Sequence, residues 1–155
     1  MEDIKKQEFT YKISRANRTG LTVLIFEIAQ EYIKEATQAK DTEQYIQAIR
    51  NAGKCVDTLK NSLDFTYTLS ATLLHFYVEV KKQMAKAIAS LDGSDLAIVQ
   101  YALAEMHDSF VEVAKQDNSP ALYENQEEVS VGYTYGRSGV NVNPERTAGR
   151  RGFLA

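Results

Sequence analysis

The chain has 155 residues, 44% apolar and 25% charged, with a net charge of −3, two prolines and no tryptophan. That length suits one domain, and an acidic balance gives no electrostatic reason to expect a nucleic-acid partner. No apolar run nears the roughly 20 residues that span a bilayer and the start "MEDIKKQEFTYK" has no apolar leader, so a cytoplasmic chain without membrane insertion is expected.

Residues 1–18 are expected to be an arm. In "EFTYKIS" Phe9, Tyr11 and Ile13 alternate with polar residues, which is the period of extended backbone. With no partner strand elsewhere, such an arm should lie in a groove between helices. The sequon Asn17-Arg18-Thr19 carries no weight in a cytoplasmic chain.

Residues 19–116 then repeat apolar positions at intervals of three and four, predicting four helices. The first starts after Thr19 as N-cap, with Leu21, Leu24, Ile25, Ile28, Tyr32 and Ala36 on one face. Asp41 or Thr42 opens the second, whose stripe is Tyr45, Ile46, Ile49, Gly53, Val56, Leu59 and Leu63. Gly53 inside it costs up to about 1 kcal/mol relative to alanine, so it should mark a close helix crossing or a bend.

The third begins near Thr68 or Ser70 and inserts Leu69, Leu73, Phe76, Tyr77, Val80, Met84, Ala87 and Leu91. Gly93 should close it in a left-handed conformation, with Ser94 or Asp95 capping the next. The fourth runs from about Asp95 to Lys115 on Leu96, Val99, Leu103, Met106, Phe110 and Val113. Short connections force neighbours to run antiparallel, so the expected fold is all-α, an up-down-up-down four-helix bundle. Residues 117–155 are glycine-rich and aperiodic, and are expected to be a flexible tail. Arg137, Arg146, Arg150 and Arg151 with Tyr133 and Tyr135 fit a solvated terminus better than an RNA-binding one.

Catalytic signals are weak. His75 and Glu79 stand one turn apart, but no second ligand pair accompanies them, so they are expected to be a surface pair. The Glu-x-x-His pattern of di-iron bundles is absent, because Thr72 precedes His75 and Ala104 precedes His107 at that spacing. His107 with Glu105 and Asp108 reads as a polar cluster. Cys55 is the single cysteine, and without a basic cluster near it nothing in the sequence gives cause for a lowered pKa. Gly53-Lys54-Cys55 lacks the glycine spacing and hydroxyl of a phosphate loop. No enzyme activity, cofactor or metal is expected.

Apolar surface, by contrast, is in surplus. On the third predicted helix Ala71, Leu74, Val78, Ala85 and Ala89 form a second sector behind the main stripe, and Ile98, Tyr101 and Ala102 fall outside the stripe of the fourth. Part of that widening serves two neighbours within the bundle, and Leu74 divides evenly between the two uses. Val78 and Ile98 are harder to absorb, and they point to a shallow groove for an extended or helical segment of another chain. A homodimer seam is the rival use of the same surface.

"LKNSLDFTYTLSATLLHFYVEVKKQMAKA" (59–87), with its Ser-Leu-Asp segment and helix restart, resembles the second-to-third helix region of the flagellar export chaperone family FliS. "ANRTGLTVLIFEIAQEYIKEA" (16–36) is similar to that family's first helix and "VGYTYGRSGVN" to tails of some members. The resemblance implies a cytoplasmic, non-enzymatic chaperone that binds the disordered C-terminal segment of flagellin, prevents premature polymerisation and delivers it to the export gate. It further implies an N-terminal arm that moves aside. Leu74, Val78, Ile98 and Tyr101 are then the client-contact candidates, and Phe9, Tyr11 and Ile13 the removable cover. A divergent paralogue with another client, or a self-associating structural bundle, are the alternatives.

Overall fold

In the computed structural model, which describes residues 1–123, five helices follow one another: α1 Asp3–Ser14, α2 Arg18–Thr37, α3 Thr42–Asn61, α4 Leu69–Ser90 and α5 Gly93–Lys115. All regular structure among the described residues is helical. The first of these corrects the extended arm. Phe9 and Ile13 are four residues apart, so on a helix they share one face, and both are half-buried while Tyr11 between them is 64% exposed. An unpartnered extended segment would leave its backbone groups to water, whereas "DIKKQEFTYK" is rich in helix formers and satisfies them internally.

Side-chain caps set three of the starts. Asn17 accepts a hydrogen bond from the Gly20 N–H at 2.9 Å, so α2 begins two residues earlier than a Thr19 cap would place it. Asp41 caps α3 through the Gln44 N–H at 2.8 Å, as the sequence indicates. Between α4 and α5 the roles differ from expectation: Leu91 takes the left-handed conformation (φ 54°), and Asp92 caps α5 by accepting from the Ser94 N–H at 2.9 Å. Gly93 is already the first residue of α5. A leucine left-handed at a helix end is uncommon and carries a steric cost that the surrounding turn must offset.

α2 packs against α3 and α5, α4 packs against the same two, and α1 lies on α2. At the centre are Phe26, Ala29, Ile33, Val56, Val99 and Leu103, all sealed from solvent, with Ile49, Leu59, Tyr77, Val80 and Met84 closing around them. The Phe26 ring stands 5.6 Å from Phe110 and 6.3 Å from Tyr77. α3 buries the face read from its period. α2 is rotated from the expected stripe: Phe26, Ala29 and Ile33 are the deepest residues, while Ile25 and Tyr32 pack at the margin. Leu69, Leu91 and Val113, assigned to inner stripes, are 61%, 51% and 53% exposed because each sits at a helix end where neighbours run out.

Gly53 marks a close approach, as its cost in a helix suggests. A Cβ there would meet the Lys81 Nζ at 3.2 Å and Met84 Sδ at 3.8 Å, and that ammonium donates to Asp57 at 2.9 Å across the α3–α4 contact. At the opposite end of the same contact the Tyr45 hydroxyl donates to the Ala87 carbonyl at 3.2 Å.

The first residues of the expected tail are held. Leu122 N–H donates to the Ala16 carbonyl at 3.0 Å, and the Asn17 side-chain amide donates to the carbonyls of Asp117 and Ser119. The remainder of that tail, residues 124–155, lies outside the described residues, as do Tyr133, Tyr135 and the four arginines.

Candidate functional site

The α4–α5 turn sets the register of the two helices that carry the client-contact candidates. Ser90 Oγ donates to Asp95 at 2.7 Å and the Lys86 ammonium pairs with the same carboxylate at 3.5 Å, tying the end of α4 to the start of α5. Asp95 is otherwise buried, so these contacts offset the cost of withdrawing its charge from water. With only Leu91 and Asp92 between the helices, α5 must reverse direction along α4.

On these paired helices Val80, Met84, Leu96, Val99 and Leu103 turn inward and are buried. Val78 is left 37% exposed, Ile98 50% and Tyr101 68%, while Leu74 is half-buried. Leu74 and Val78 are four residues apart and Ile98 and Tyr101 three apart, so each pair shares a face of its helix. Charges border them, with Lys82 paired to Glu79 at 3.2 Å beside Val78. The arrangement is apolar side chains in water between ion-paired ones. It offers contact area.

The cover residues sit on a different element. α1 rests on α2 and buries none of its residues fully. The Lys5 ammonium donates to both oxygens of Glu31, at 2.8 and 3.0 Å, and these hydrogen bonds raise its pKa above the ordinary lysine value. The Met1 amino group also pairs with Glu35. Phe9 lines a cleft of about 490 Å³ with Lys5 and Lys12 of α1, Glu27 of α2, and Gln100 and His107 of α5. The structure therefore turns the cover toward α2 and the edge of α5, and sets Leu74 and Val78 on α4, which α1 does not pack against as it does α2.

Groups considered for chemistry are occupied otherwise. His75 is exposed, and its candidate partner Glu79 is engaged by Lys82. His107 is tucked between helices, with Nε2 3.2 Å from Glu27 of α2 and Nδ1 3.1 Å from Asp108, so it joins α5 to α2. Burial pushes the Cys55 thiol up to about 11, which keeps it protonated and unreactive at neutral pH. Among the described residues no three His, Cys, Asp or Glu side chains are placed to hold a metal ion, and no helix is long and apolar enough to cross a membrane.

Periodicity overlooked one feature. A cleft of about 550 Å³ opens between the start of α2, the Ser62–Thr68 connection, the start of α4 and the end of α5. Phe65 and Tyr67 in that connection are 62% and 68% exposed. Two aromatics in a short connection were the available signal, and a search for helical stripes passes over them.

A family model described as flagellar protein FliS matches residues 1–117. A search of curated proteins found no match.

Proposed function

The chain belongs to the FliS family of flagellar proteins, and from that premise we propose that it is a cytoplasmic flagellar export chaperone that binds the disordered C-terminal segment of flagellin. The family gives the flagellar role. The observation that carries the binding reading is apolar area left in water on packed helices: Val78, Ile98 and Tyr101 are exposed although the core beside them is closed. No assembled set of catalytic groups competes with it among the described residues.

The closed cycle of contacts among α2, α3, α4 and α5 supports reading residues 19–116 as an up-down-up-down four-helix bundle that follows the N-terminal segment, residues 1–18. On this reading Leu74, Val78, Ile98 and Tyr101 touch the client, which lies along the α4–α5 face as a helix or extended strand. α1, carrying Phe9, Tyr11 and Ile13, is a helix held at α2 largely by charge and can yield to a longer client. Ordering a disordered segment costs about 2–5 kcal/mol, so the interface must be of standard size or larger, about 1,600 Å², and a short peptide should bind poorly. Holding the flagellin end in this way blocks premature polymerisation until the complex reaches the export gate.

Size-exclusion chromatography with light scattering tests this on the full chain mixed with a flagellin C-terminal segment from the same organism. A stoichiometric complex is expected. Absence of a complex, with concentration-dependent dimers of the chain alone, would replace the client by a second copy and make the same face a homodimer seam.

A further inference from the structure

Arg15, Ala16 and Asn17 join α1 to α2, and the polypeptide that leaves α5 comes back to them. Asn17 faces both ways. Its side-chain oxygen accepts from the Gly20 N–H at 2.9 Å and so starts α2, while its amide nitrogen donates to the Asp117 carbonyl at 3.3 Å and the Ser119 carbonyl at 3.1 Å. One residue back, the Ala16 carbonyl accepts from the Leu122 N–H at 3.0 Å. Thr19, in the first turn of α2, donates its hydroxyl to the Asp117 carboxylate, which also accepts from the Ser119 N–H at 3.0 Å.

These bonds act where packing is thin. A cleft of about 380 Å³ lies between Ala16, Gly20, Val23 and Leu24 on one side and Val111 and Ala114 of α5 on the other, so side chains do not fill the space between the junction and the end of α5. α1 buries none of its residues fully, and Lys5 on Glu31 holds its far end. To leave α2, α1 must turn about the backbone torsions of Arg15, Ala16 and Asn17. The Ala16 carbonyl and the Asn17 N–H belong to one rigid peptide plane, so a bond that fixes the carbonyl fixes the plane.

We propose that residues 117–122 are a latch on the α1–α2 junction: while they are seated α1 stays along α2, and when they detach α1 swings free. The coupling runs both ways, since a free energy shared between two sites is reciprocal, and displacing α1 loosens the chain beyond α5. With α1 as a displaceable cover, a seated latch opposes client entry and client binding is felt at the end of α5. That consequence rests on the reading of α1 as a cover; the latch itself does not.

Amide exchange of the full chain, without client, tests the latch. Asn17→Asp keeps a side-chain oxygen to start α2 but replaces the donor to the two carbonyls with a second acceptor. Leu122→Pro removes the N–H from the other side and changes no residue of α1 or α2. Each variant should speed exchange of residues 3–14 about tenfold, with exchange in α3 and α4 and the melting temperature unchanged. In the reverse direction, Lys5→Glu should speed exchange of the Leu122 amide by a similar factor. Unchanged α1 exchange in Leu122→Pro, or a Leu122 amide that stays protected while Lys5→Glu frees α1, would overturn the proposal. Titration of Leu122→Pro with the flagellin segment then separates the two readings. Severalfold tighter binding joins the latch to the cover, whereas unchanged binding with faster α1 exchange leaves the latch standing and removes the cover role of α1.

Discussion

Ile98 and Val99 are adjacent on α5 and differ in what surrounds them: Ile98 is 50% exposed and Val99 fully enclosed. Ile98→Glu removes an apolar side chain that keeps about half its surface in water. Full burial of such a side chain is worth about 1.5–3 kcal/mol, so completing the burial against a client contributes about 1 kcal/mol. Placing a carboxylate opposite apolar client surface adds a desolvation cost of about 1–3 kcal/mol. Together these predict binding weaker by about 30- to 1,000-fold, since each 1.4 kcal/mol is tenfold. The stability of the free protein should move by less than about 1 kcal/mol, as for other surface changes. Val99→Glu puts the same charge among Phe26, Val56 and Leu103 and should abolish cooperative unfolding. Titration calorimetry with the flagellin segment, alongside circular dichroism melting of each variant, separates the two. If Ile98→Glu bound the client as tightly as the natural chain, or melted as Val99→Glu does, the assignment of this face would be wrong.

Three further outcomes follow from particular contacts. Gly53→Ala should stabilise the protein by up to about 1 kcal/mol in urea unfolding, because helix propensity favours alanine and the atom at 3.2 Å is the movable end of Lys81; a loss of stability would show that ammonium to be held in place. Lys5→Glu sets like charges against Glu31 and Glu35 and should speed amide exchange in residues 3–14 at least tenfold with the melting temperature unchanged, whereas a lower melting temperature would make α1 part of the cooperative core. Hydrogen bonds from Ser119 and then Thr19 hold the Asp117 carboxyl down at about 2. A depressed folded pKa gives stabilisation present above the unfolded value near 4 and lost as pH falls through 2. The tether between residues 117–122 and α2 should therefore persist at pH 5 and release between about pH 4 and 2, read from the amide shifts of Ser119 and Leu122; release already at pH 6 would contradict it.

The helices of residues 19–116 were legible because α3 and α5 each carry one apolar stripe wide enough to mark a face. α2 was harder to orient. Leu21, Val23, Leu24, Ile25, Phe26, Ile28 and Ala29 leave scarcely a polar gap, and contacts with α1, α3 and α5 on several sides decide that Phe26 and Ile33 lie deepest. α1 was misread since Phe9, Tyr11 and Ile13 satisfy a period of two as well as Phe9 and Ile13 satisfy a period near four, and a segment with so little burial has nothing in its pattern to arbitrate. Gly93 drew the left-handed position because glycine adopts it freely, yet Leu91 takes it, since Asp92 serves as the next cap and leaves the turn no later residue. Of the site, the exposure of Val78, Ile98 and Tyr101 was readable from their places off the stripe. The cleft beside Tyr67 was not, because its walls come from a connection and three helix ends that only the tertiary fold brings together.

Hydrogen exchange of the full chain with and without the flagellin C-terminal segment tests the central claim most directly. The account predicts slowed exchange concentrated on residues 74–82 and 97–105, with faster exchange in α1 as it gives way. Slowing confined to α2 and α3, with the α4–α5 face exchanging as in the free protein, would contradict it.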